Sequence, residues 1–176
     1  MQLIKIKNKI KKFNKTLSIE GDKSLSIRWA LIASQSESIS RSYNLLLSED
    51  VINTLKCLRK LGVKVKISKK FCEINGVGLN GFKYKKNLIL DAGNSGTLGR
   101  LIMGLLIHSK GIITLKGDKS LSKRDFIRVI KPLKKFGADF KSNYGRLPII
   151  IKGTENTNPI IYNETKGSAQ VKSTIM

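Results

Sequence analysis

Acidic residues are scarce in this chain: 12 Asp and Glu stand against 34 Lys and Arg among 176 residues, a formal net charge of +22. An excess of that size attracts anions, and nucleic acid or an anionic membrane surface are the first partners to weigh. Aromatics are scarce as well, at 6% with a single Trp, and they are not interleaved with the lysines, which spread along the whole chain. That pattern offers no base-stacking platform, so no nucleic-acid partner is expected. Small anionic substrates remain as the use of the charge. Cys57 and Cys72 form no C-x-x-C pair, and the single histidine, His108, stands apart from both. Neither a zinc site nor a disulfide framework follows, no metal is expected, and a reducing cytoplasm is the expected setting.

Long apolar runs are also missing. The longest, Leu101 to Ile107 broken by Gly104, falls far short of the ~20 residues that span a bilayer. The Lys-rich start, Met1 to Lys15, lacks the apolar stretch and small-residue cleavage site of a secretory signal. No membrane partner is expected. What the chain does have is a 40% share of hydrophobic residues, enough for the core of one ordinary domain.

Coarse periodicity predicts strands at Leu3–Lys7 and Thr16–Ile19, a helix over Ser24–Ser34 and a strand over Ser40–Leu46. Ser48 as cap, with Glu49 and Asp50 in the first turn, opens a helix whose apolar positions Val51, Ile52, Leu55, Leu58 and Leu61 recur at helical spacing until Gly62. The strands Val63–Ile67 and Phe71–Ile74 follow. The same order then returns as strand Leu88–Leu90, helix Leu98–Ile107, strand Ile112–Leu115, helix Asp125–Phe136, Gly137, and strands Ala138–Lys141 and Leu147–Ile151. This is an α/β pattern, a βαβαββ unit present twice. The helix ends Leu55–Gly62 and Ile130–Gly137 can be laid on one another. The hexapeptide Gly-Asp-Lys-Ser-Leu-Ser occurs at 21–26 and at 117–122, opening a first helix in one unit and a second helix in the other, and is no evidence for the duplication. A third unit starts with a strand at Asn158–Tyr162, reaches the turn Lys166–Gln170 and stops within one or two helical turns, so the chain reads as truncated.

The most informative segment is Gly21-Asp22-Lys23-Ser24-Leu25-Ser26-Ile27-Arg28, a polar, twice-cationic turn that runs into the apolar stretch Trp29–Ala33. Backbone N–H groups at a helix start favour an anion, Lys23 and Arg28 add full charges, and Ser24 and Ser26 add neutral donors. Two further turns stand at equivalent places, Asn94-Ser95-Gly96-Thr97 and Ser168-Ala169-Gln170. Repeated units bring such turns to one rim. Gly96 lets backbone approach a ligand, and Asn94, Thr97 and Arg100 supply polar contacts. Arg124 taken alone is a solvated charge at a helix start.

These motifs, together with Ser48-Glu49-Asp50, Arg124 in Lys123-Arg124-Asp125, and Ser168-Ala169-Gln170-Val171-Lys172-Ser173, resemble in order and spacing those of the 5-enolpyruvylshikimate-3-phosphate synthase family. The resemblance covers essentially the whole chain. It implies an inside-out α/β barrel of βαβαββ units, two complete and a third truncated, with residues 1–20 belonging partly to a second domain and 21–176 to an incomplete substrate-binding domain. It also implies transfer of the enolpyruvyl group of phosphoenolpyruvate to the 5-hydroxyl of shikimate 3-phosphate, with release of phosphate, no cofactor, and a monomer at full length. Matched motif by motif, Lys23, Ser24, Arg28, Ser168, Ala169 and Gln170 would hold shikimate 3-phosphate. Lys23, Gly96, Arg124 and Gln170 would face phosphoenolpyruvate, supported by Asn94, Thr97 and Arg100. The family's carboxylate base would lie beyond Met176, and His108, in an apolar helix, reads as structural. Ile27 stands where the family usually has His or Asn, and Asp125 where Pro is usual.

Two other readings are available. The UDP-N-acetylglucosamine enolpyruvyl transferases share the repeated unit, but their site does not look like the Lys-Ser-x-Ser-x-Arg turn and their reactive cysteine lies on a loop, whereas Cys57 falls in a helix and Cys72 in a strand. A noncatalytic anion-binding or nucleic-acid-binding module is the other, and a steep salt dependence of binding to random DNA would favour it.

Overall fold

The computed structural model describes Lys5, Lys7 and residues 12–176. The strand expected at Leu3–Lys7 lies outside the described residues, save for those two lysines. The first helix, α1 (Lys23–Ser34), starts where Asp22, with extended backbone, turns its Oδ1 to accept from Leu25 N at 2.7 Å. Strand β1 (Ile39–Tyr43) follows and ends at Asn44, whose φ of 58° turns the chain away before Leu46. Helix α2 (Glu49–Lys60) closes at Gly62, whose φ of +89° is the left-handed conformation that lets a helix stop. Ser48 holds the cap position by backbone geometry alone; its Oγ makes no hydrogen bond, and Glu49 and Asp50 supply the negative charge for the helix start. Strands β2 (Lys64–Ile67) and β3 (Phe71–Asn75) form a hairpin, and β3 sits between β1 and β2 in an antiparallel sheet.

The second unit repeats this order with one more strand. It comprises β4 (Leu88–Asp91), α3 (Gly96–Leu105), β5 (Ile112–Lys116), α4 (Ile127–Lys135), β6 (Asp139–Asn143) and β7 (Arg146–Lys152). Its sheet runs β4-β5-β7-β6, with β4 parallel to β5 across the α3 crossover and the rest antiparallel. Relative to this unit, β1, β2 and β3 occupy the places of β5, β6 and β7. The matched helix ends behave alike, since Gly137 has φ of +106° against +89° at Gly62.

Four expectations are corrected. Residues 16–19 form no strand: Leu17 and Ile19 are 67% and 78% exposed, and the segment's one recorded tie is Asn44 Nδ2 donating to Ile19 O. A strand needs a ladder partner, and none stands beside it among the described residues. Residues 158–162 form no strand for the same reason. The second Gly-Asp-Lys-Ser-Leu-Ser copy opens a single 3-10 turn at Leu121–Lys123, not α4. Both copies nevertheless share one local fold, because Asp118 Oδ1 accepts from Leu121 N at 2.6 Å as Asp22 Oδ1 does from Leu25 N. α4 starts two residues later than expected, where Asp125 Oδ1 accepts from Ile127 N at 2.7 Å.

The third unit contributes α5 (Ala169–Ile175), which packs on α3 and α4, while α1 also packs on α3. Helices therefore gather inside and sheets cover them. In β7, Leu147, Ile149 and Ile151 are buried while Arg146, Ile150 and Lys152 face out, the period-two pattern of a sheet with one wet face. Phe126, Leu58, Leu98, Ile102 and Ile113 are fully buried at the centre. Among the described residues, no helix is long and apolar enough to cross a membrane.

Candidate active site

The starts of α1, α3 and α5 are built alike. Asp22, Ser95 and Ser168 cap them, accepting from Leu25 N, Leu98 N and Val171 N respectively. In that register Lys23, Gly96 and Ala169 are the first helical residues, and Ser24, Thr97 and Gln170 the second. Ser168 Oγ spends an acceptor position on its own helix at 3.3 Å and keeps its O–H to donate. Ser26 is corrected from its expected place on the rim: it is buried, and its Oγ accepts from Leu46 N at 3.2 Å.

The second and third starts are joined through Arg100. Its Nη1 donates to Gln170 Oε1 at 3.0 Å and to Gly96 O at 3.3 Å, and its Nη2 donates to Asp125 O at 3.3 Å. Gln170 Nε2 donates in turn to Thr97 Oγ1 at 3.0 Å. The Arg100 guanidinium lies over the Phe126 ring, 5.1 Å from its centroid. Gly96 lets two guanidinium groups approach its backbone, since a Cβ there would stand 2.9 Å from Arg100 Nη1 and 3.0 Å from Arg124 Nη1 and would displace their tips. Two guanidinium groups thus close on one backbone position, and neither is ion-paired with a described residue. Burial lowers the Arg100 pKa first, with the charges of Arg124 and Arg128 adding to it. Cations held together in this way await an anion.

Lys23 is held by Asp50, with Nζ and Oδ2 3.1 Å apart. Arg28 reaches back to Ser24 O at 3.3 Å and lines a cleft of about 420 Å³ with Leu31, Leu101, Leu105 and Ser173. No recorded hydrogen bond or ion pair links Lys23, Ser24 or Arg28 to the Gly96 group; the packing of α1 on α3 sets their distance. Asn94 is exposed without a side-chain hydrogen bond to a described residue, and Arg124 is exposed beside Gly96.

Three supporting residues escaped the sequence reading. Asp50 was legible only as a helix-start acid, although the Ser48-Glu49-Asp50 motif marks it. Asp91 accepts from Gly93 N at 2.9 Å and pairs with Lys116 at 3.0 Å, fixing the bend that presents Asn94 to Gly96. Burial pushes its carboxyl up, but the Gly93 N–H and Lys116 outweigh burial and hold it below its ordinary value.

Glu164 is the third. Its side chain is 5% exposed and accepts from Arg128 Nη2 at 2.7 Å, Tyr162 Oη at 2.7 Å and Lys166 N at 3.0 Å. Those bonds, the Tyr162 hydroxyl first, hold its carboxyl at about 2, against 4.5 ordinarily. A carboxylate depressed in the folded state stabilises above its unfolded pKa, and that contribution fades as pH falls through the folded one. The stability gap between the native chain and Glu164→Gln is therefore expected to be constant above about pH 5 and to shrink between about pH 4.5 and 2. Urea midpoints compared across that window check it, and a gap that persists at pH 2 would contradict the assignment.

His108 lies in the turn after α3, not within a helix as expected. Cys57 and Cys72 are buried in α2 and β3, and burial pushes the Cys57 thiol up to about 11, unsuited to nucleophilic work. No group of three or more His, Cys, Asp or Glu fit for a metal occurs among the described residues.

The family model for EPSP synthase (3-phosphoshikimate 1-carboxyvinyltransferase) matches residues 7–176. The 3-phosphoshikimate 1-carboxyvinyltransferase of Ruthia magnifica is 45% identical over 160 residues, covering 91% of this chain and 37% of that protein. The one from Streptococcus suis is 39% identical over 175 residues, covering 98% of this chain and 41% of its own length. The 2.37 Å structure of EPSP synthase from Acinetobacter baumannii superposes with a TM-score of 0.84 at 36% identity, over 90% of this chain and 36% of the other. The chain thus spans roughly two fifths of the curated relatives it matches. With its sequence motifs, its repeated unit and its like-built helix starts all agreeing, this chain belongs to the EPSP synthase (3-phosphoshikimate 1-carboxyvinyltransferase) family.

Proposed function

We propose that this chain forms the shikimate-3-phosphate wall of a cytoplasmic enolpyruvyl transferase, residues 21–176 being that wall and residues 1–20 belonging partly to the opposite domain. The observation that carries the reading is the pair of unpaired guanidinium groups, Arg100 and Arg124, closing on Gly96 beside Gln170. In the reaction the 5-hydroxyl oxygen of shikimate 3-phosphate bonds to the enolpyruvyl carbon of phosphoenolpyruvate, the hydroxyl loses its proton and phosphate departs. Both reactants are anions, so one wall of the cleft has electrostatic and positioning work to do. Lys23, Ser24, Arg28, Ser168, Ala169 and Gln170 hold shikimate 3-phosphate. Lys23, Gly96, Arg124 and Gln170 face phosphoenolpyruvate, with Asn94, Thr97 and Arg100 in support. The partners are these two small molecules, with neither nucleic acid nor membrane, and the full-length protein is a monomer. No residue of this chain is assigned the base that takes the hydroxyl proton, so binding is the property to measure.

An NMR titration tests it. Shikimate 3-phosphate is expected to move amide signals at 21–28 and 168–170 with a Kd near 1 mM, about 4 kcal/mol of net binding. Arg28→Ala should abolish the effect, and Arg28→Lys should restore part of it, because a point charge replaces a bidentate fork. No movement at those amides, or equal movement in Arg28→Ala, would reduce the first turn to an ordinary capped helix start.

A further inference from the structure

The segment between β7 and α5 delivers Ser168–Gln170, yet it forms no strand or helix of its own. Among the described residues, its backbone is tied to the rest of the fold by Gly153 N donating to Ser109 Oγ at 3.1 Å, Thr154 N to Ile107 O at 2.8 Å and, last, Asn158 N to Phe136 O at 3.0 Å. From 159 to 167, the one recorded side-chain hydrogen bond to the rest of the fold is Arg128 to Glu164. We propose that Glu164 is a positioning residue of the anion site, clamping the 162–166 bend to α4 and thereby setting where Ser168, Ala169 and Gln170 stand against Arg100. The proposal rests on the shikimate-3-phosphate reading only for its ligand.

The geometry suits a clamp. One carboxylate gathers a donor from α4 (Arg128), a side chain two residues before it (Tyr162) and a backbone N–H two residues after it (Lys166). The bend is therefore closed on itself and fastened to the helix by the same group. Tyr162 packs its ring on the core, which seats the bend from below. Gly167, at φ of +65° with open space around it, is the single left-handed residue between the clamp and the Ser168 cap. Beyond it, Gln170 docks on Arg100 and Thr97. Arg128 lies in the first turn of α4, four residues past Arg124 in the extended stretch that precedes the helix, so a short length of chain joins clamp and site.

Glu164 also engages Arg128, the third cation whose field reaches Arg100. This gives the test two arms of opposite sign. If Glu164 acted only through charge, Glu164→Gln would leave Arg128 unpaired and tighten anion binding. If it positions the bend, the same variant should loosen shikimate 3-phosphate, which needs Ser168–Gln170, about tenfold in Kd. Inorganic phosphate, a probe of charge alone, should bind it at least as tightly as the native chain.

Ligand-free spectra keep the clamp separate from the reading of the site. In Glu164→Gln, the amides of Lys166–Gln170 should shift and exchange faster, while those of β1–β3 stay in place and report an intact fold. Tyr162→Phe, which keeps the ring and removes one donor, should show a smaller change of the same kind. Arg128→Gln combined with Glu164→Gln should be no worse than Glu164→Gln alone, since the bond between them is lost only once. If the native chain binds no shikimate 3-phosphate, the site reading fails, and perturbed amides at 166–170 still uphold the clamp. Unperturbed amides there in Glu164→Gln, or shikimate 3-phosphate bound as tightly or more tightly, overturn it.

Discussion

Replacing Gly104 by alanine is expected to unseat α5 and cost about 3 kcal/mol, the upper end of overpacking penalties. A Cβ at Gly104 would press into the Thr174 carbonyl oxygen, with Thr174 C and Cγ2 both at 3.2 Å. The obstruction is backbone, so no rotamer change relieves it, and α3 and α5 must separate. Thr174 is fastened at that spot, donating to Gln170 O at 2.7 Å and to Arg100 O at 3.3 Å. The damage therefore reaches Gln170 and the third wall of the site. For a chain of this size the loss corresponds to a Tm lower by roughly 6–12 °C. Amide exchange across Ala169–Ile175 should rise with it. Gly111→Ala is the control, because its Cβ would meet only Tyr84 Cε2 at 3.6 Å, and it should change stability by no more than about 0.5 kcal/mol. Native-like protection of Ala169–Ile175 in Gly104→Ala would show that α5 does not rest on the Gly104 backbone.

Gly104 also illustrates where sequence reading stops. In the linear chain it is merely the residue that interrupts an apolar run; its reason lies 70 residues away at Thr174, a contact that no local pattern encodes. Elements whose cause is local were legible. α2 declared itself by its acids, apolar spacing and Gly62, and β2 and β3 by alternation around Ser68, whose Oγ accepts from Lys70 N and Phe71 N. Segments whose structure depends on a partner strand misled: residues 16–19 and 158–162 are apolar enough for strands and find no ladder. The Asp125 start of α4 was misplaced because an aspartate can cap from a residue outside the helix as well as at its edge. In the site, each helix-start turn could be recognised by composition. The bond joining two of them, Arg100 to Gln170, could not, nor could Glu164, whose meaning comes wholly from the Arg128 that folding brings to it.

Arg100→Gln is expected to separate stability from function. Removing an arginine that makes three hydrogen bonds and covers Phe126 looks severe: a half-buried cation–π contact contributes about 1 kcal/mol and each charge-assisted bond about as much again. Against that stands the cost of keeping the group charged in place. Its pKa is lowered by burial and by the neighbouring Arg124 and Arg128, which means that the fold works against the positive charge it holds. Glutamine retains a donor for Gln170, fills part of the space over Phe126 and relieves the repulsion. The ligand-free variant should accordingly melt within about 1 kcal/mol of the native chain, on either side. Anion binding should suffer far more, because the repulsion is repaid only when an anion settles between Arg100 and Arg124. Loss of one of two fork donors there should raise Kd about 100-fold, or about 2.7 kcal/mol. Thermal melts with and without inorganic phosphate resolve the two effects: phosphate should raise the native Tm and leave that of Arg100→Gln unmoved. A variant that is clearly destabilised without ligand yet still stabilised by phosphate would show that Arg100 is a structural strut and that the anion is held elsewhere.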